Sequence, residues 1–190
     1  MPHSTLDVLA DLRTGYTLRE KTDPGSVAIV QAADLADNRL ADDLGTTTDA
    51  RPGPEHRLRA GDVLVSSRGD RNAAAFVERD MPDVVAASYL YVIRVRPGAQ
   101  LDPEFLAWYL TTDPAQDSLG ALAHGTYGVR RVRIDDMRAL PVPLPPLDVQ
   151  QRIAQAARRA RAEASLAARL AERRRALVDT FLLQTTLHHG

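Results

Sequence analysis

The order of local signals along this chain predicts an α+β fold: a compact domain of mixed or antiparallel strands and short helices, followed by one long coiled-coil helix. Three observations carry that prediction. Strand-like apolar runs lie in the first half and helix signals in the second, an order that argues against a doubly wound parallel sheet. Residues 140–153, Leu-Pro-Val-Pro-Leu-Pro-Pro-Leu-Asp-Val-Gln-Gln-Arg-Ile, then set a proline-spaced rod against a helix start. Beyond them the chain runs to about Leu183 with neither glycine nor proline.

Taken in order, residues 15–21 are polar and turn-like, and Val27-Ala28-Ile29-Val30 reads as a buried strand followed by a loop over 31–37. Residues 38–60 are acidic and turn-rich, broken by Pro52-Gly53-Pro54. Ala60-Gly61-Asp62 turns into the strand Val63-Leu64-Val65-Ser66; residues 67–72 form a tight loop, and 73–77 return as a strand. Val84-Val85 and residues 89–95 supply further strands, with Tyr89, Tyr91, Ile93 and Val95 expected on one face. Asp102-Pro103 and Asp113-Pro114 are two copies of one helix-start signal, Asp as cap and Pro at the first helical position, for helices over 105–111 and 115–123. Residues 126–133 are a basic loop or strand, and 134–139 a helical turn. Pro141, Pro143, Pro145 and Pro146 fix φ and remove donors, so their segment is extended and stays out of a sheet interior. Asp148 is expected to cap the long helix, with Gln151 as the reciprocal arm of a capping box. The domain boundaries that follow are 1–140 for the globular part, 141–147 for a rigid elbow, 148–185 for the helix and 186–190 for a tail.

The bulk numbers fit one domain plus a helix, since 190 residues at 44% hydrophobic can build a real core. With no run of 18 apolar residues and no signal pattern, a cytoplasmic protein is expected. Zero cysteines exclude a disulfide framework and a thiolate zinc site. The net charge of −1 argues against indiscriminate nucleic-acid binding, but its distribution is uneven. Residues 1–50 carry four Lys/Arg against nine Asp/Glu, and residues 120–190 carry twelve against six. A polyanion would therefore meet the rear half and chosen loops.

In the long helix, Ile153, Ala157, Ala160, Ala164, Ala167, Ala171, Arg174, Val178 and Phe181 recur at alternating four- and three-residue steps. That is the seam of a coiled coil, widened by Leu166, Leu170 and Leu177. Some 35 residues at helical rise span roughly 50 Å, too long to bury the stripe against a domain of this size. The seam predicts a partner helix.

Signals for catalysis are missing. There is no Asn-Pro-Pro-aromatic motif, no glycine-rich loop placed after a strand for a nucleotide, and only one lysine, Lys21, far from the carboxylates a nuclease would need. His3, His56, His124, His188 and His189 lack partners at metal-ligand spacing, and Ser66 and Ser67 lack a nucleophile elbow. The expectation is a non-catalytic protein with no cofactor or metal of its own.

The chain resembles the DNA specificity subunits of type I restriction–modification systems, in a half-size form with one target-recognition domain and one conserved helix. The resemblance is carried by Gly15-Tyr16-Thr17, the apolar strand and polar turn over 27–35, residues 58–69, Phe105-Leu106-Ala107-Trp108-Tyr109-Leu110, Gly125, and above all residues 140–153. It implies a sequence-specific DNA-recognition subunit whose helices hold two reading domains at fixed separation and dock methyltransferase subunits. Full-length members carry two domains and two antiparallel helices, so a single copy implies an antiparallel homodimer reading a palindromic, interrupted target, or pairing with a second half-subunit. Implied partners are double-stranded DNA, the methyltransferase, which would hold S-adenosylmethionine, and in some systems a restriction subunit. The alternative is a regulator that binds the methyltransferase without DNA specificity of its own, or a recognition fragment of a fused methyltransferase–nuclease.

Candidate DNA contacts follow from donor chemistry on loops. Ser67, Arg68, Asp70, Arg71 and Asn72 lie between two apolar strands, with Arg suited to guanine and Asn to adenine. Thr126, Tyr127, Arg130, Arg131 and Arg133 form a second, basic group that can grip phosphates and stack. Thr17, Arg19, Lys21 and Gln31 flank the first strand and form a third. The helix interface is expected at Ile153, Ala157, Ala160, Ala164, Ala167, Leu170, Ala171, Val178 and Phe181.

Overall fold

The structure is a computed structural model describing residues 2–18, 25–36, 38–125 and 130–187, the last six as helix backbone alone. It divides into two compact units, Met1–Ala154 and Gln155–Gly190. The architecture of the first is α+β, as the order of signals predicts. Numbered along the chain, a six-stranded sheet runs in the order β2 (Ala10–Thr14), β11 (Leu90–Val95), β8 (Asp62–Ser66), β9 (Ala74–Phe76), β5 (Asn38–Leu40) and β4 (Leu35–Ala36). A four-stranded sheet runs β6 (Thr47–Thr48), β3 (Val27–Val30), β10 (Met81–Ala86) and β7 (Arg57–Leu58). The β3–β10 and β5–β9 pairs are parallel and their neighbours antiparallel, so both sheets are mixed. Two short ribbons pair β1 (His3–Thr5) with β14 (Pro141–Pro143) and β12 (Ala123–His124) with β13 (Arg131–Val132). The helices are α1 (Leu6–Leu9), α2 (Pro103–Leu110), α3 (Asp113–Leu122), α4 (Ile134–Arg138) and α5 (Leu147–Leu187).

Strand alternation makes the six-stranded sheet the middle layer. On β8, Val63 and Val65 face a cluster with Phe105, Leu106, Leu110, Leu119 and Met137 of the short helices. Leu64 points the other way, into a cluster with Val30, Leu58, Val84 and Ala86 of the four-stranded sheet. Covered on both faces, β8 needs a continuous apolar run, which explains why its sequence does not alternate. On β11, Tyr91 and Ile93 join the first cluster and Val95 packs at its margin, as expected. Tyr89 does not share that face. A turn closed by Leu90 N–H to Ala87 O at 2.9 Å precedes the strand, and Tyr89 packs against the second cluster instead.

The helix starts follow the sequence signals unevenly. Asp102 caps α2, its Oδ1 accepting from Phe105 N–H at 2.8 Å. Asp113 does not cap α3: Thr112 holds the cap position, and Asp113 is the first helical residue, turned toward Arg71. The capping box at 148–151 is also corrected. Because α5 begins at Leu147, Asp148 falls inside the first turn and pairs with Arg152 at 2.8 Å, while Val149 and Gln150 N–H groups close on Pro146 O. The glutamine that matters is Gln150, fully buried: its Oε1 accepts from Asp102 N–H at 2.8 Å, and its Nε2 donates to Gln100 O at 3.0 Å and Pro145 O at 2.8 Å. The proline segment is extended as expected and forms a ribbon edge, with Val142 between its prolines completely buried.

An ion pair with a buried carboxylate joins the interior strands β8 and β11. Asp62, 1% exposed, receives Arg94 through two bonds of 2.7 and 2.8 Å, and this hydrogen bonding holds the Arg94 guanidinium above its ordinary pKa. Nearby Arg13 lies below its ordinary value: burial is the main cause, opposed by Asp62 and reinforced by Arg94 and Arg59. Both terminal nitrogens of Arg13 are closed to solvent without a hydrogen-bond partner among the described residues.

In the second unit the helix residues stand largely in solvent. Leu166, Leu170, Leu177 and Val178 are 59%, 51%, 71% and 56% exposed. Ala160, Ala164, Ala167 and Ala171 are exposed, Ala157 is half-buried, and Phe181 is exposed. Ile153 belongs to the first unit, where it packs beside the core cluster and is not an open seam position.

Candidate nucleic-acid interface

The loop after β8 is built from its own backbone demands. Ser66 Oγ donates to Arg68 O at 2.6 Å, and Asn72 Nδ2 donates to Ser66 O at 2.6 Å, so the two ends of the loop close on one another. Gly69 turns at φ +117°, a conformation L side chains rarely adopt. The expectation that Ser67 and Asn72 stand out on an exposed loop does not hold. Ser67 is fully buried, with its hydroxyl and N–H both given to Tyr89 O, and Asn72 is 7% exposed. Arg68, Asp70 and Arg71 are the members left on the surface. Arg71 is held there: its Nη2 lies 2.8 Å from Asp113 Oδ1 and donates to Thr111 O at 3.2 Å.

The second candidate group joins this loop directly. Arg68 and Arg131 form an isolated antiparallel bridge, and Val132 N–H donates to Ser67 O at 3.0 Å. Val132 is buried, and Tyr91 Oη from the middle sheet donates to its carbonyl at 2.8 Å. Arg131 and Arg133 flank it on the exposed side. Arg130 is also exposed but donates to Gly120 O near the end of α3. His124 Nε2 lies 3.1 Å from Asp136 Oδ2, closing the ribbon onto α4. Thr126 and Tyr127 lie outside the described residues, as do Arg19 and Lys21 of the third group.

Of that third group, Thr17 is exposed. Gln31 is half-buried and committed to Thr46 Oγ1 at 2.7 Å, with its backbone N–H given to Asp34. It is nonetheless linked to the loop, because Tyr89 Oη donates to Gln31 Oε1 at 3.4 Å while Tyr89 O receives Ser67. Parts of all three groups are thus connected through Tyr89, Ser67 and the Arg68–Arg131 bridge. Such a surface offers directional donors for base edges beside cations for phosphates. Among the described residues no group of three His, Cys, Asp or Glu side chains could hold a metal ion, and no helix is long and apolar enough to cross a membrane. Sequence reasoning passed over Gln116 and read Tyr89 and Tyr91 only as strand residues; all three organise this surface from beneath.

The family model described as the type I restriction modification DNA specificity domain matches residues 3–159. The chain belongs to this family. Several solved chains share the fold. One is the S subunit of a type I restriction–modification system from M. genitalium, 20% identical, with a TM-score of 0.54 over 82% of this chain and 37% of that one. Another is the HsdS subunit from Thermoanaerobacter tengcongensis, 21% identical, with a TM-score of 0.56 over 86% and 38%. A third comes from a structure describing complex assembly and conformational transition of the type I R-M system, 18% identical, with a TM-score of 0.59 over 86% and 39%. This specificity domain therefore spans under two fifths of the length of each of those chains. No curated protein matches the chain.

Proposed function

We propose that the chain is the sequence-specific, non-catalytic DNA reader of a type I restriction–modification complex. In this reading Arg68 and Asp70 address base edges, Arg131 and Arg133 grip phosphates, and Thr17 borders the same surface. Arg71 and Arg130 support the loops more than they reach outward, because each already holds a protein carbonyl. The observation that carries the proposal is the Arg68–Arg131 bridge, which unites a polar loop and a basic strand from distant parts of a specificity-domain chain.

The helix beyond Gln155 then mates antiparallel with that of a second copy, through Ala157, Ala160, Ala164, Ala167, Leu170, Ala171, Val178 and Phe181. The support is the seven-residue repeat together with leucines left in solvent. Two readers related by a two-fold axis face an inverted, interrupted target and dock adenine methyltransferase subunits, which hold S-adenosylmethionine. Methylome sequencing of cells expressing this chain with its methyltransferase tests the reading. An interrupted inverted-repeat adenine motif is expected. An asymmetric motif would reject pairing of identical copies, and assembly with the methyltransferase without any motif would make the chain a regulator.

A further inference from the structure

Gln116 makes the most complete set of contacts beneath the candidate surface, yet it reaches no solvent-facing group. It stands half-buried on α3, four residues beyond Thr112, the cap of that helix. Its Oε1 accepts from Asn72 N–H at 2.8 Å, while its Nε2 donates to Asn72 O at 3.0 Å and to Leu110 O at 2.5 Å. One side-chain amide thereby closes both backbone groups of Asn72, as a neighbouring strand would, and also satisfies a carbonyl at the open end of α2. The same junction is tied twice more, by Arg71 to Asp113 and Thr111, and by Asn72 Nδ2 to Ser66 O.

This geometry separates two properties of the loop. Phosphate attraction depends on charge near the surface and tolerates a few tenths of an ångström of play. Base readout by a bidentate side chain does not, because both hydrogen bonds need distance and angle together. A clamp on the loop backbone therefore governs discrimination far more than bulk affinity.

We propose that Gln116 is a positioning residue for sequence readout: it fixes the loop over residues 67–72 so that Arg68 and Asp70 stand at set places, and it touches no DNA itself. The proposal rests on the DNA-reading role proposed above. It also assigns Asp113 as the anchor of Arg71, so that the base of the loop is held by α3 from both sides.

The test uses the full chain and a pool of random-sequence DNA duplexes, with selection and sequencing of the bound fraction and anisotropy titration of the unselected pool. For Gln116→Ala, preference for the wild-type motif over the pool should fall about tenfold, the scale of one lost bidentate contact, with pool affinity changed less than about twofold. Gln116→Glu supplies a readout that general destabilisation would not move. At pH 7.5 its carboxylate would set charged oxygen against the carbonyls of Asn72 and Leu110, and preference should be as poor as for the alanine variant. A carboxyl facing two carbonyls ionises less readily, and once protonated it regains a donor beside its acceptor. Preference should therefore recover toward wild type at pH 5.5, while wild-type preference stays nearly level over the same interval.

Wild-type preference in both variants at pH 7.5 overturns the inference, as does a fall in pool affinity as large as the fall in preference. Should Gln116→Ala fail to fold, Gln116→Glu at pH 7.5 decides alone, by preference against pool affinity. A wild-type chain that enriches no sequence sinks the DNA-reading role itself, a pattern distinct from failure confined to the variants.

Discussion

The two terminal nitrogens of Arg13 have no hydrogen-bond partner among the described residues. They are sealed from solvent, Asp62 is already occupied by two bonds from Arg94, and the guanidinium groups of Arg94 and Arg59 both oppose that of Arg13. Buried donors left unmet cost about 1–3 kcal/mol, which an apolar side chain of similar length avoids. Arg13→Met should therefore stabilise the first unit by about 1 kcal/mol and raise its Tm by roughly 3 °C in calorimetry. A fall in Tm would show that the attraction to Asp62 outweighs the unmet donors. At this scale the sequence was least legible. Ser67 and Asn72 are the residue types that contact bases, but both are spent on carbonyls inside the protein. Gln116 and Gln150 look like ordinary helix glutamines, and their importance comes from partners 44 and 48 residues away that no local pattern encodes.

At the scale of elements, the long helix carries a clear expectation. Leu170 and Leu177 stand 51% and 71% exposed beside the alanine seam, and burying both against a partner helix is worth roughly 2–3 kcal/mol. Leu170→Glu with Leu177→Glu should weaken self-association of the chain on the order of a hundredfold in analytical ultracentrifugation, leaving the melting of the first unit unchanged. Association as tight as wild type would remove the helix from the interface. Local chemistry made several elements readable. The strand at β8, the cap at Asp102 and the extended proline segment all follow from apolar runs, side-chain oxygen and fixed φ. The second helix start misled by one residue: Thr112 takes the cap position, and Asp113 falls inside the first turn, where it pairs with Arg71. The two-residue strands β4, β6 and β7 escaped because such short pieces owe their conformation to neighbours.

Across the whole molecule, a net charge of −1 means that affinity for DNA has to come from local cations and not from a general field. The contrast between acidic residues 1–50 and basic residues 120–190 was visible at once, whereas the meeting of Arg68 with Arg131 needed the fold. If Arg131 grips a phosphate, Arg131→Ala should lower the log–log salt slope of DNA binding by about one per reading domain and leave the selected motif intact. An altered motif at an unchanged slope would move Arg131 from backbone grip to base contact. Fold class came through because strand runs and helix runs are segregated along the chain. The sheet order did not, since the parallel β3–β10 and β5–β9 pairs depend on crossovers that leave no local trace.

Tyr91 offers its hydroxyl to the carbonyl of Val132 from below, and Ser67 offers its own carbonyl to the Val132 N–H from the side. The basic strand is therefore hung from the scaffold by its backbone, at Val132 and through its pairing with β12 and Arg68, while the side chains of Arg131 and Arg133 take no part in those bonds. Exchange of Arg68, Asp70, Arg131 or Arg133 for other side chains leaves every one of those suspending bonds in place. A reader constructed in this way can change its alphabet without rebuilding its frame.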